Sequence, residues 1–181
     1  MSLIEIILLG VALAMDASSV TIANGMIYKN LTKKDYALMP IMFGLFQGLM
    51  PVAGFFVGGI FADFITKYSG IVIFVILGAI GGKMVYDSFK PKAGQGAGEK
   101  LTFGVLVFQA VATSIDAFAV GVGFLAMAVN VYLASSIIAI TTALMVIVAI
   151  FVGKAFGNIF EDKAQLIGGL VLIAIGIKAL F

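Results

Sequence analysis

Two aspartates in apolar surroundings are the residues of this chain whose type and spacing could do chemistry. Asp16 lies in Ala12-Leu-Ala-Met-Asp16-Ala17-Ser-Ser-Val20, and Asp116 in Ala112-Thr-Ser-Ile-Asp116-Ala117-Phe-Ala-Val120, one hundred positions later. Each sits mid-way along a stretch long enough to cross a bilayer, which takes about 20 residues. A carboxylate at that depth costs about 2.5–3.5 kcal/mol on insertion scales. A chain that accepts the cost twice, in matched places, needs the charge. Two ionised carboxylates brought close together repel, so they share a proton or are held by a cation. The competing reading is a protonated aspartate that only hydrogen-bonds helices together.

The oxygens that could join them are read from the neighbouring apolar runs. Ser19 lies near Asp16 and Thr113 near Asp116 at helical spacing. Pro51 has no N–H, so it deprives the Gln47 carbonyl of its helical partner and should kink the helix there. Gln47 then offers an amide oxygen and a freed carbonyl. Its counterpart in the second half is Thr142, beside Thr141. Met50 and Met145 follow one turn later, where a thioether could favour manganese, though filling space is the commoner work of Met. The set Asp16, Asp116, Gln47, Thr142, Ser19, Thr113, Met50 and Met145 is rich in oxygen and holds no nitrogen or thiolate ligand. It suits Mg²⁺, Ca²⁺ or Mn²⁺ over zinc or copper. Asn24, two turns from Asp16, is a candidate for the vestibule below the site.

Composition sets the surroundings. Of 181 residues, 62% are hydrophobic, against about 45–50% in soluble domains. The chain is expected to be an all-α integral membrane protein. It has no Cys and no His, so thiolate metal sites, disulfides and Ser–His or Cys–His couples are excluded. All eleven basic residues are Lys, scattered over a net charge of +2, which gives nucleic acid no grip. No nucleophile–base pair or cofactor motif is visible, so an enzyme and a permanently bound cofactor are not expected. The N-terminus carries Glu5 and no basic leader, and reads as a retained helix.

Six transmembrane helices are expected: about 3–28, 36–64, 69–89, 101–127, 132–160 and 164–181. The polar, Gly-rich stretch 91–99 separates residues 1–90 from 100–181. The two parts repeat each other. Phe55-Phe-Val-Gly58-Gly-Ile-Phe61-Ala-Asp63 aligns with Ile150-Phe-Val-Gly153-Lys-Ala-Phe156-Gly-Asn158, and Gly81-Gly-Lys83 with Gly176-Ile-Lys178, both at an offset of 95. Three crossings per unit make the second unit run upside down, giving two inverted three-helix repeats with a site at mid-membrane. Nine lysines fall on the loops 1–2, 3–4 and 5–6 side and only Lys67 and Lys178 on the other. Those loops, the 91–99 linker included, are therefore expected in the cytoplasm and both termini outside. Lys83 and Lys178 read as snorkelling anchors, or as gate partners of Asp87 or Asp63. Small-xxx-small pairs such as Gly44/Gly48 and Gly153/Gly157 are packing seams, and Gly-rich faces could also join two copies as a homodimer.

On these residues the chain resembles the small bacterial manganese efflux pumps. The stretches are Met15-Asp16-Ala17, Phe43-Gly44 through Gln47 to Pro51, Gly81-Gly-Lys-Met84, Ala112-Thr-Ser-Ile-Asp116-Ala117 with Ala119-Val-Gly-Val-Gly123, and Gly168-Gly-Leu-Val-Leu-Ile-Ala-Ile-Gly176. The resemblance implies export of Mn²⁺ across the cytoplasmic (inner) membrane, with Asp16 and Asp116 as the membrane carboxylates. Mn²⁺ would be substrate and the lipid bilayer the surroundings. Alternatives in the same scaffold are a transporter or channel for another cation or small solute, and a non-transporting, sporulation-type membrane protein.

Overall fold

The computed structural model describes the chain apart from residues 29–30, 90–99, 127–128, 160–163, 179 and 181, and along parts of some helices it describes the backbone alone. The expected 91–99 linker therefore lies outside the described residues. Among the described residues every regular element is an α-helix: α1 Leu3–Ile27, α2 Lys33–Ser88, α3 Phe103–Thr113, α4 Ile115–Ala126, α5 Val131–Ile159 and α6 Ala164–Lys178. Among the described residues, four stretches are long and apolar enough to cross a membrane: Leu3–Ile27, Lys33–Val57, Phe103–Phe124 and Val131–Phe156.

The helices begin where capping chemistry dictates. Ser2 and Glu5 form a reciprocal capping box at the start of α1. Thr32 and Asp35 exchange the same kind of bonds before α2. Thr102 caps α3 by accepting from the Val105 N–H.

Two boundaries differ from expectation. The second and third expected helices run together as α2, 56 residues with Pro40 and Pro51 inside. The break was expected at Lys67 and Tyr68, but that stretch holds no Pro to remove an N–H from the ladder. At about 1.5 Å per residue α2 is much longer than one crossing of a bilayer of about 30 Å needs. Its first part packs on α4 and α5, and its last part on α6. The second difference is in the expected fourth helix, which is broken at Ser114 into α3 and α4.

Glycines fix the closest approaches. A methyl group at Gly25 would press on Gly153, and one at Gly153 would strike the backbone of Ile22, so α1 and α5 touch backbone to backbone. Gly54 and Gly121 do the same for α2 and α4, against Phe118 and Pro51. Gly44 and Gly48 take in Ala139 of α5, and Gly81 takes in Gly169 and Ile173 of α6. Small residues buy such proximity in lipid, where no hydrophobic effect drives helices together. The same glycines are thereby used within the chain and are not free to join a second copy. α1 packs chiefly on α5 and α4 chiefly on α2. α1 meets α3 only lightly.

Two apolar clusters fill the bundle. Ala17, Val20, Met39, Phe43, Leu106 and Ile150 form one, and Ile6, Leu13, Ala117, Phe124 and Ile138 belong to the other. At one end, the Lys154 ammonium lies 5.9 Å over the Tyr36 ring, which also meets Phe151. At the other, Phe56 meets Tyr132.

Candidate functional site

The site is built from a helix that stops and restarts. Ser114 ends α3, and its N–H bonds the Val111 carbonyl, three residues back, in place of Ala110 four back. Ala110 receives the Thr113 hydroxyl in its stead, as does the Gln109 carbonyl. The Ser114 hydroxyl also turns back to Val111. α4 then begins, with Asp116 in its first turn. The Ala117 N–H donates to Asp116 Oδ1 at 2.8 Å and so is not spent on the Thr113 carbonyl. A carboxylate in the first turn of a helix is held by the unpaired N–H groups and the positive end of the dipole. Discontinuous helices of this kind expose backbone groups to ions at mid-membrane in transporters.

Asp16, in the unbroken α1, is half-exposed. Its Oδ1 lies 3.9 Å from the Lys178 ammonium at the last turn of α6. Asp16, Asp116 and Lys178 are within electrostatic reach of one another. The two halves of the chain thus bring their aspartates to one region.

Gln47 and Thr142 are fully buried. Gln47 Nε2 donates to the Leu13 carbonyl at 3.1 Å, one turn from Asp16 along α1. Gln47 Oε1 and Thr142 Oγ1 have no hydrogen-bond partner, nor do the buried hydroxyls of Ser18 and Ser135. A buried polar atom left unpaired costs about 1–3 kcal/mol, which a ligand could recover. Gly10 abuts Thr141, and Gly44 and Gly48 abut Ala139, so Gln47, Thr142 and Leu13 share one layer of the bundle.

The remaining expected residues are committed differently. The Ser19 hydroxyl donates to the Met15 carbonyl at 2.9 Å, and that of Thr113 to its own helix. Met50 packs on the second apolar cluster, as a space-filling Met does. Met145 is partly buried on α5. Among the described residues, no group of three or more acidic, His or Cys side chains is gathered as a ready metal cage. Two carboxylates with neutral oxygens would hold a hard cation loosely enough to let it go.

These features meet a family known by sequence. A family model described as "Putative manganese efflux pump" matches residues 30–180. The chain belongs to this family. A relative from Ruminiclostridium cellulolyticum, "Putative manganese efflux pump MntP", is 41% identical over 179 residues, 98% of this chain and 95% of its own. Proteins of the same name from Campylobacter hominis and Methanobrevibacter smithii are each 42% identical, over 97% and 99% of this chain and 96% and 97% of their own. No solved structure matches.

Two side-chain pairings in this family member escaped sequence reasoning. Asn24, expected to line a vestibule, is fully buried and exchanges two side-chain hydrogen bonds with Gln109. Lys178, expected as an anchor or a partner of Asp63, faces Asp16. The repeat held a hint of the second, since Lys83 and Lys178 are equivalent; the side chains of Lys83, Asp63 and Asp87 lie outside the described ones.

Proposed function

We propose that this protein is a secondary transporter that exports Mn²⁺ from the cytoplasm, using Asp16 and Asp116 as paired ligands at mid-membrane. The observation that supports the reading is that the two carboxylates, one from each half, lie within electrostatic reach of each other, while Gln47 Oε1 and Thr142 Oγ1 are buried and uncommitted. The matched relatives, all named for manganese efflux, supply the ion and the direction. The carboxylates neutralise a divalent charge, and the amide and hydroxyl complete an oxygen shell that Mn²⁺ accepts. Ser19 and Thr113 stand behind them as further hydroxyls on the same two stretches. Met145 is the thioether that would favour Mn²⁺ over Mg²⁺, Met50 being committed to the apolar cluster.

The architecture in this reading is two inverted three-helix units, residues 1–90 and 100–181, joined by a cytoplasmic 91–99 linker. Crosswise packing supports it: α1 of the first unit lies on α5 of the second, and α4 of the second on α2 of the first. Both termini face outward, so the cytoplasm loads the site through the end that carries Tyr36 and Lys154. An inverted pair of units can rock about a fixed central site, presenting it to each side in turn.

The test is Asp16→Asn and Asp116→Asn, each measured for Mn²⁺ retention in cells and for metal binding to purified protein. Asn keeps the volume and one oxygen but removes the charge. Each single variant should insert, fold and lose transport, and the double should be scarcely worse, because members of one site are not additive. Normal export by both single variants overturns the shared site.

A further inference from the structure

We propose that Lys178 is a tethered surrogate for the transported cation, neutralising the Asp16–Asp116 pair when no metal is bound and leaving when Mn²⁺ enters. The inference rests on the export reading above and adds a residue that sets both affinity and release.

The geometry is that of an aimed tether. α6 is anchored by its backbone: Gly176 lies against Phe74, with Gly78 beside it, and Gly81 takes in Gly169 and Ile173. Lys178 closes the last turn two residues beyond Gly176, where a cation also suits the negative end of the helix dipole. From that fixed base the ammonium reaches to 3.9 Å from Asp16 Oδ1, while its side chain is 81% exposed. No packing holds it there. The aspartate positions it, and the four-carbon stem is free to swing away.

Charge decides what it does. Two carboxylates alone leave two negative charges at a depth where charge is costly, and the ammonium halves that. Mn²⁺ neutralises the pair completely and repels the ammonium from the same oxygens. Both cations compete for the Asp16 oxygen, so the affinity for Mn²⁺ is what remains after Lys178 is displaced. On release the ammonium returns, which spares the empty site a full double charge as the transporter resets. In the sequence, Lys83 is its counterpart at an offset of 95.

The experiment uses the full-length protein in lipid nanodiscs for Mn²⁺ titration and in proteoliposomes for export. Lys178→Gln removes the competitor. It should bind Mn²⁺ about fivefold more tightly, in keeping with a partly exposed pair, release it more slowly and export less. Lys178→Arg keeps a cation and should return the affinity toward that of the wild type. A merely structural lysine would change thermal stability without tightening binding. Unchanged or weaker Mn²⁺ binding by Lys178→Gln, with the wild type binding normally, overturns the surrogate alone. A wild type that binds no Mn²⁺ overturns the export reading and the surrogate together.

Discussion

Asn24 of α1 and Gln109 of α3 hold each other by both ends of their amides. Asn24 Nδ2 donates to Gln109 Oε1 at 2.7 Å, and Gln109 Nε2 donates back to Asn24 Oδ1 at 3.1 Å. The pair is fully buried and is the principal tie in the slight contact between these two helices. Removing one partner strands the other, at a cost of about 1–3 kcal/mol. Asn24→Ala and Gln109→Ala should each lower the thermal midpoint in detergent. Asn24→Leu with Gln109→Leu together should cost less than the sum of the two single Leu changes, since each alone leaves an unpaired amide. Additive losses would show that the bonds do not couple the helices.

Gln47 separates charge from packing. Gln47→Leu removes the bond to the Leu13 carbonyl and the free amide oxygen, and should weaken Mn²⁺ binding to purified protein. Gln47→Glu brings a carboxylate to the same place and should retain or tighten binding, while losing the N–H donor and so about 1 kcal/mol of stability. Normal binding and export by the Leu variant would leave Gln47 a helix-packing residue.

Glycine substitutions discriminate seam from surface. Gly153→Ala drives a methyl group into the Ile22 backbone and Gly121→Ala into that of Pro51; overpacking of this kind typically costs about 1–3 kcal/mol. Gly123→Ala meets open space and should stabilise by up to about 1 kcal/mol through helix propensity alone. Thermal midpoints of the three variants check the order. A Gly123→Ala protein as damaged as the others would mean that the seams are misassigned.

Orientation is tested by reactivity. The protein lacks cysteine, so a single one can be placed freely. In the 91–99 linker it should be shielded from impermeant thiol reagents in intact cells, and appended after Phe181 it should react. The reverse pattern would invert the direction in which each aspartate is approached.

Much of this was legible because hydrophobic length and buried charge are properties of composition and spacing. Asp16 and Asp116 announce themselves by their cost in lipid, and Gln47 by its place before Pro51. The Ser114 break was not legible. Ala112-Thr-Ser-Ile-Asp116 contains neither Pro nor Gly, and each residue in it tolerates a helix. The interruption comes from side chains bonding back to carbonyls, and from Asp116 drawing the Ala117 N–H to itself. The run through Lys67 was misjudged for the opposite reason, since polar residues between apolar runs look like a loop whether or not the ladder continues. Lys178 and Asp16 are 162 positions apart, and only tertiary structure joins them.

The broken stretch also bears on how the protein is made. Phe103–Phe124 has the length and hydropathy of one ordinary membrane span, so the insertion machinery receives it as a single crossing. Every bond that makes the break lies within residues 109–117, so the segment carries the interruption with it and needs no donor from another helix. Biogenesis would then deliver a span in which Asp116 already stands at a helix start, and the neighbouring helices would gather around a carboxylate whose local frame is set.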